Sequence, residues 1–178
     1  KNYLKEKEEG PENRIPYLGI VHRLDQPVEG LLVFARDKKT AGDLSRQITE
    51  GKMEKRYLAI VQGIPESTEE VFLKDWIVRD GKTRMARIAN RGESGAGEAR
   101  LSYRLLKQWD QEALVEIHLD TGRFHQIRVQ MAHAGLPLAG DRKYNPGGGE
   151  GSLALCAYAL AFHYPGNQKR MFFELPKS

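Results

Sequence analysis

HRLDQPVEGLLVFA, residues 22–35, decides how the rest of the chain is read. Arg23 and Asp25 stand just ahead of a turn. Pro27 fixes φ, Asp25 and Gln26 lead into the bend, and Gly30 permits a tight exit. The apolar run Leu31–Ala35 then predicts a buried strand. A carboxylate on a rigid loop beside a core strand is held in one orientation. An Arg two residues earlier in an extended segment reaches the same side. Taken alone, an R-x-D spacing favours an Asx-type turn with a solvated Arg over a catalytic arrangement.

Three further segments follow in order: KRYLAIVQG (55–63), TGRFHQIRV (121–129) and LALCAYALAFHYP (153–165), with AGDRKY around Asp141 between the last two. Together with HRLD they resemble the motifs of the RluA-type pseudouridine synthases, which isomerise uridine in RNA. The likeness runs from about Leu18 to Pro165. It implies the pseudouridine synthase fold: α+β, with a mixed, mainly antiparallel central sheet, few short helices and an RNA-binding cleft.

Composition sets outer bounds. At 178 residues the chain fits one domain with a substantial core. Its 40% hydrophobic and 29% charged residues are ordinary for a globular protein. No apolar run is long enough to span a bilayer, and no signal-peptide pattern is visible. The lone Cys156 forms no internal disulfide and lies in an apolar run, where a small core residue is expected; a reducing cytoplasm fits. A net charge of +4 and a pI near 9.1 hint at nucleic acid. Basic residues from Arg79 to Arg104 crowd one region, a pattern that equally suits a solubilising surface.

The pattern predicts a charged helical start at Tyr3-Leu4 and a helix from Asp37, its N-cap, to Glu50, with Gly51 as the stop. Strands are predicted at Tyr57–Val61, Val71–Val78, Arg84–Ala89, Ala99–Trp109, Ala113–Leu119, Leu153–His163 and Met171–Leu175. A helix is predicted at His125–Ala134.

The resemblance implies roles residue by residue. Asp25 is the catalytic carboxylate. Tyr57, in the K-x-Y motif with Lys55, stacks on the uracil and helps remove the C5 proton; a phenol is a poor base in water, so the site must tune or position it. Arg128 pairs with Asp25. Arg23 fills the gap left by a flipped base, Leu155 packs under the ring, and Arg123 contacts phosphate, with Lys55 a further substrate contact. The isomerisation has no redox step, so no cofactor is expected. His118, Asp120 and His125 lack a further carboxylate at a ligand spacing, so no metal is assigned.

The sequence also departs from the pattern. Val28-Glu29 stand where the family carries Thr-Ser, placing a carboxylate near the expected cleft, and Cys156 stands in place of His. The family's opening strand and Lys-Pro-x-Gly loop are missing. Residues 1–178 are therefore expected to be an N-terminally incomplete catalytic domain with no S4 domain. Two functions compete: an enzyme modifying ribosomal or transfer RNA, and a non-catalytic RNA-binding protein on the same fold.

Overall fold

The computed structural model describes residues 17–148 and 151–176; the start predicted to be helical lies outside them. An eight-stranded sheet organises the domain. Its spatial order is β10 (Arg170–Glu174), β9 (Leu155–His163), β4 (Glu54–Gln62), β8 (Glu112–Leu119), β7 (Gly97–Trp109), β5 (Val71–Asp80) and β6 (Met85–Ala89), and β2 (Glu29–Gly30) also joins β9. Every pairing is antiparallel except that of β2 with β9. This is the mixed, mainly antiparallel α+β architecture expected.

Alternation along the strands selects one face for the core. Tyr57, Ala59 and Val61 of β4 lie beside Ala113, Val115 and Ile117 of β8, all buried, with Leu101 and Tyr103 of β7 continuing the layer. Helix α1 (Lys38–Thr49) starts where Asp37 accepts hydrogen bonds from the Thr40 amide and hydroxyl at 2.8 and 2.7 Å. Its Ala41, Leu44 and Ile48 pack toward Leu160 and Phe162. Gln47 reaches from the same helix to the His163 backbone, donating to its carbonyl at 2.7 Å and accepting from its amide at 2.8 Å. Helix α2 (Gln126–His133) rests on β5 and β6 and buries Ile127, Val129 and Met131.

The predicted strand over Leu31–Ala35 is corrected. The run changes partner within itself. Glu29 and Gly30 pair with Cys156 and Ala157, and the Leu31 amide donates to the Ala157 carbonyl at 2.8 Å. The chain then peels away, and only β3 (Phe34–Ala35) is strand, paired with β1 (Gly19–Ile20). Leu32 and Phe34 are exposed, while Ala35 is buried. A continuous apolar run cannot reveal such a change, because periodicity reports burial and not the partner.

Gly30 makes the parallel junction possible. Its φ is +132°, and a Cβ there would collide with the Ala157 carbonyl oxygen. Gly30→Ala is expected to cost about 1–3 kcal/mol or more, with the HRLD loop displaced from β9. Gly42 of α1, where an added methyl would meet nothing within 4 Å, is the control. Gly42→Ala should gain about 0.5–1 kcal/mol. Urea unfolding of the two variants checks both signs.

Candidate active site

The HRLD loop ends in a turn in which the Val28 amide donates to the Asp25 carbonyl at 2.9 Å, with Gln26 and Pro27 at the bend. This turn holds the Asp25 side chain, one quarter exposed, where two cavities meet. The smaller, about 280 Å³, runs past Lys55, Tyr57 and Leu155. The larger is an open cleft of about 1210 Å³. It is lined by Arg23, Arg79, Arg128, Arg142 and Lys143, with Asp25 and Glu29 as its carboxylates.

Arg128 is buried on the first turns of α2. Its expected pairing with Asp25 is present but secondary. Arg128 Nη1 lies 3.8 Å from Asp25 Oδ2, an ion-pair contact without a direct hydrogen bond. The closer partner is Asp141, which binds the guanidinium bidentately, Nε to Oδ2 at 2.8 Å and Nη2 to Oδ1 at 2.6 Å. The reason is geometric. Asp141 is fully buried, and its Oδ1 also accepts from the Lys143 amide at 3.0 Å and the Tyr144 amide at 3.2 Å, so the loop is wound round the carboxylate. Burial alone would raise the Asp141 carboxyl. The Arg128 and backbone hydrogen bonds outweigh it and hold the group below its ordinary value.

The motifs alone did not assign a place in the site to His125, Asp141, Tyr144 or Gln126. His125 precedes α2 in the left-handed region, φ +52°, a conformation seldom taken by non-glycine residues. Its Nε2 is 3.9 Å from Asp25 Oδ2, and its Nδ1 is 2.8 Å from the Tyr144 hydroxyl. Tyr144 in turn accepts from the Ala86 amide of β6 at 2.6 Å. Burial pushes the His125 imidazole down, more than nearby Asp25 raises it. Asp141 and Tyr144 both belong to AGDRKY, so the signal is present in that motif. Gln126 acts as a clip: its Oε1 accepts from the Thr121 hydroxyl (2.8 Å) and Arg123 amide (2.9 Å), while its Nε2 donates to the Arg100 carbonyl (3.0 Å).

The other expected residues are found as follows. Tyr57 is buried, and burial together with Asp25 pushes its phenol up to about 12. The site therefore positions this phenol and does not acidify it. Leu155 shares the small cavity with Tyr57. Arg23 is exposed and lines both cavities. Arg123 is exposed, with Nε donating to the Glu98 carbonyl at 3.0 Å. Lys55 is 9% exposed, and burial lowers its ammonium. Cys156 is half-buried, its thiol pushed up by burial and by Glu29. His118 faces away from the core, opposite to Ile117, and does not converge with His125. No group of three or more metal-ligating side chains occurs among the described residues.

The RNA pseudouridylate synthase family model matches residues 1–133. The chain belongs to that family. It is 35% identical over 160 residues to YlyB of Bacillus subtilis, an uncharacterized RNA pseudouridine synthase, across 89% of this chain and 52% of that protein. It is 34% identical over 174 residues to ribosomal large subunit pseudouridine synthase D of Nitrosomonas europaea, across 92% and 49%. The chain thus spans about half the length of these curated relatives. In fold it is similar to human RNA pseudouridylate synthase domain containing 1, with a TM-score of 0.74 at 24% identity, covering 90% of this chain and 69% of that one. Among the described residues no helix is long and apolar enough to cross a membrane.

Within this family member the Arg128–Asp141 pair is the most consequential buried contact. Asp141→Leu removes the bidentate partner and leaves a buried guanidinium with only its 3.8 Å contact to Asp25, which is expected to cost up to about 3–5 kcal/mol in chemical denaturation. The pH dependence has a definite sign. Because folding depresses the Asp141 carboxyl, its contribution is complete above the ordinary carboxyl value of 3.8 and is lost as pH falls through the depressed folded value. An acid titration of thermal stability should therefore be steeper below that point for the parent than for Asp141→Leu.

Proposed function

We propose that this chain is the catalytic part of an RNA pseudouridine synthase that isomerises uridine in ribosomal or transfer RNA. One observation carries the reading. Asp25, at the meeting point of a small cavity and a cationic cleft, has Arg128 beside it at 3.8 Å, and Asp141 already satisfies that guanidinium. The carboxylate has a fixed positive neighbour and keeps its oxygens available for substrate.

In the proposed reaction the C1′–N1 bond breaks, the uracil turns, and a C1′–C5 bond forms. The proton leaves C5 and N1 gains one, so no oxidant, reductant or cofactor enters. Asp25 supplies negative charge at C1′ or C6 during this rearrangement. Tyr57 and Leu155 sandwich the ring, and the Tyr57 oxygen lies on the route of the C5 proton. With its phenol near 12, Tyr57 enters as the neutral form, so proton transfer to its oxygen must be coupled to onward release, with Asp25 the nearby acceptor. Uridine in folded RNA must leave its stack to be reached, and Arg23 occupies the vacated space. Lys55 and Arg123 contact the substrate backbone or base. Glu29 opposes phosphate locally at the β9 side of the cleft.

Asp25→Asn keeps size and hydrogen-bonding capacity but removes the charge. Pseudouridine formation in bulk RNA lacking pseudouridine should fall at least about a thousandfold while RNA affinity changes less than about threefold, because the loss belongs to the chemical step. Tyr57→Phe should also stop turnover and retain binding. Tritium release from RNA labelled at uracil C5 reads both. A folded Asp25→Asn protein turning over at the parent's rate would exclude Asp25. Persistent binding without turnover in the parent would favour the non-catalytic alternative. Affinity should fall with salt by about 0.7 log units per log unit for each single-strand phosphate neutralised.

A further inference from the structure

From Asp25 a column of planar groups rises into the large cleft. His125 Nε2 is 3.9 Å from the carboxylate. The Phe124 ring stacks on the His125 ring with centroids 3.8 Å apart and planes 22° apart. The Arg79 guanidinium lies over Phe124, its central carbon 4.6 Å from the ring centroid. The column is fixed from the side. Tyr144 meets His125 edge-on, binds its Nδ1, and is itself tied to β6 through the Ala86 amide. Arg79 comes from β5, on a different part of the sheet from the HRLD loop. The column is therefore assembled from separate elements, and its upper end is exposed in the cleft.

Three of the six arginines of this basic region are committed to acids. Arg87 pairs with Glu93, Arg100 with Glu98, and Arg104 with Glu116. Arg79 has no acidic partner among the described residues, and its contact is the Phe124 ring. Arg79 is exposed and lines the cleft. Arg142 and Lys143 line the same cleft, and the Lys143 ammonium makes one hydrogen bond, to the Arg84 carbonyl at 3.1 Å. The spacing of the column is close to that of stacked bases, and guanidinium planes stack on RNA bases much as aromatic rings do.

We propose that Arg79 is the cap of a subsite for a nucleotide flanking the target uridine. The flanking base stacks on the guanidinium, a purine in preference to a pyrimidine because its π-face is larger. Its phosphate is met by Arg142 and Lys143. This rests on the RNA-modifying reading of the same cleft and adds a determinant of sequence context to it. Phe124 is a positioning residue here: its ring contacts both the His125 ring and the Arg79 guanidinium.

The test uses single-stranded RNA nonamers, cytidine throughout except for a central uridine, with adenosine, cytidine or an abasic nucleotide on its 5′ or 3′ side. Affinities are read by fluorescence anisotropy for the parent and for Arg79→Lys, which keeps the charge and loses the plane, with thermal melts as the folding control. On one side of the uridine the parent should bind adenosine over abasic by about tenfold, within the range of base stacking. In Arg79→Lys that ratio should fall to about twofold or less with the salt slope unchanged. An unchanged ratio in Arg79→Lys, or equal binding of all nonamers by a parent that still forms pseudouridine in bulk RNA, overturns the subsite alone. A parent that binds none of the nonamers and modifies no RNA overturns the underlying reading as well. If Arg79→Lys melts early, Phe124→Leu is used instead: it removes the support while leaving Arg79 in place, and the same loss of discrimination is required.

Discussion

The buried ion pair between Arg128 and Asp141 is the constraint on which the site depends. Its energetic value cannot be taken at face value, because desolvating both ions offsets much of their attraction. Its value is in direction. One carboxylate receives two guanidinium nitrogens and two backbone amides, which fixes the angle of Arg128 and the path of the 141–144 loop together. That path delivers Tyr144 to His125 and to the edge of β6. The remaining face of Arg128 is turned to Asp25 at a distance where it stabilises charge without immobilising the carboxylate. A direct bidentate bond from Arg128 to Asp25 would have occupied the oxygens that the proposed chemistry needs.

The electrostatics of the small cavity follow from the same economy of partners. Burial and the nearby Asp25 both oppose ionisation of Tyr57, so the hydroxyl stays protonated across the neutral range. Burial likewise disfavours the charged forms of His22, Lys55 and His125. The buried guanidinium of this cavity, Arg128, keeps its charge through a defined counterpart, Asp141, whereas Arg23 carries its charge exposed at the rim. Under the proposed reaction, a nucleotide entering it would exchange water for fixed dipoles, which costs little reorganisation.

Much of this architecture is legible in the sequence, and the omissions have physical causes. Helix α1 can be read from Asp37, the spacing of Ala41, Leu44 and Ile48, and Gly51, because capping and amphipathicity are local. The strands β4 and β8 announce themselves by alternation, and β9 by its continuous apolar run. The Leu31–Ala35 run does not, since it divides between two partners and its first half depends on a close approach to Ala157 that only Gly30 allows. Asp25, Tyr57, Leu155 and Arg128 stand out through their motifs, and they do come together around one cavity. What the motifs do not reveal is the stronger partner of Arg128. A sequence shows that an arginine and several carboxylates are present; it does not show which carboxylate is the more deeply buried. Asp141 is thirteen residues beyond Arg128, across a turn, and wins because it is enclosed and doubly served by its own backbone.

Net charge illustrates the same gap between inventory and placement. An excess of +4 is a small charge for a protein that would bind a polyanion. It becomes sufficient through segregation. Glu93, Glu98 and Glu116 neutralise Arg87, Arg100 and Arg104, and Glu54 is engaged by Arg170. The cleft then holds Arg23, Arg79, Arg142 and Lys143 against two carboxylates, one of which is Asp25 itself. Local potential depends on which charges lack a nearby opposite, and low-dielectric walls concentrate what remains. Among the described residues, Glu29 is thus the one acid lining the cleft without a proposed chemical role. It projects from the short parallel strand that Gly30 anchors to β9, which fixes its backbone. A carboxylate exposed in the cleft would repel a phosphate near it, so a polyanion bound there would be drawn toward Arg79, Arg142 and Lys143 instead.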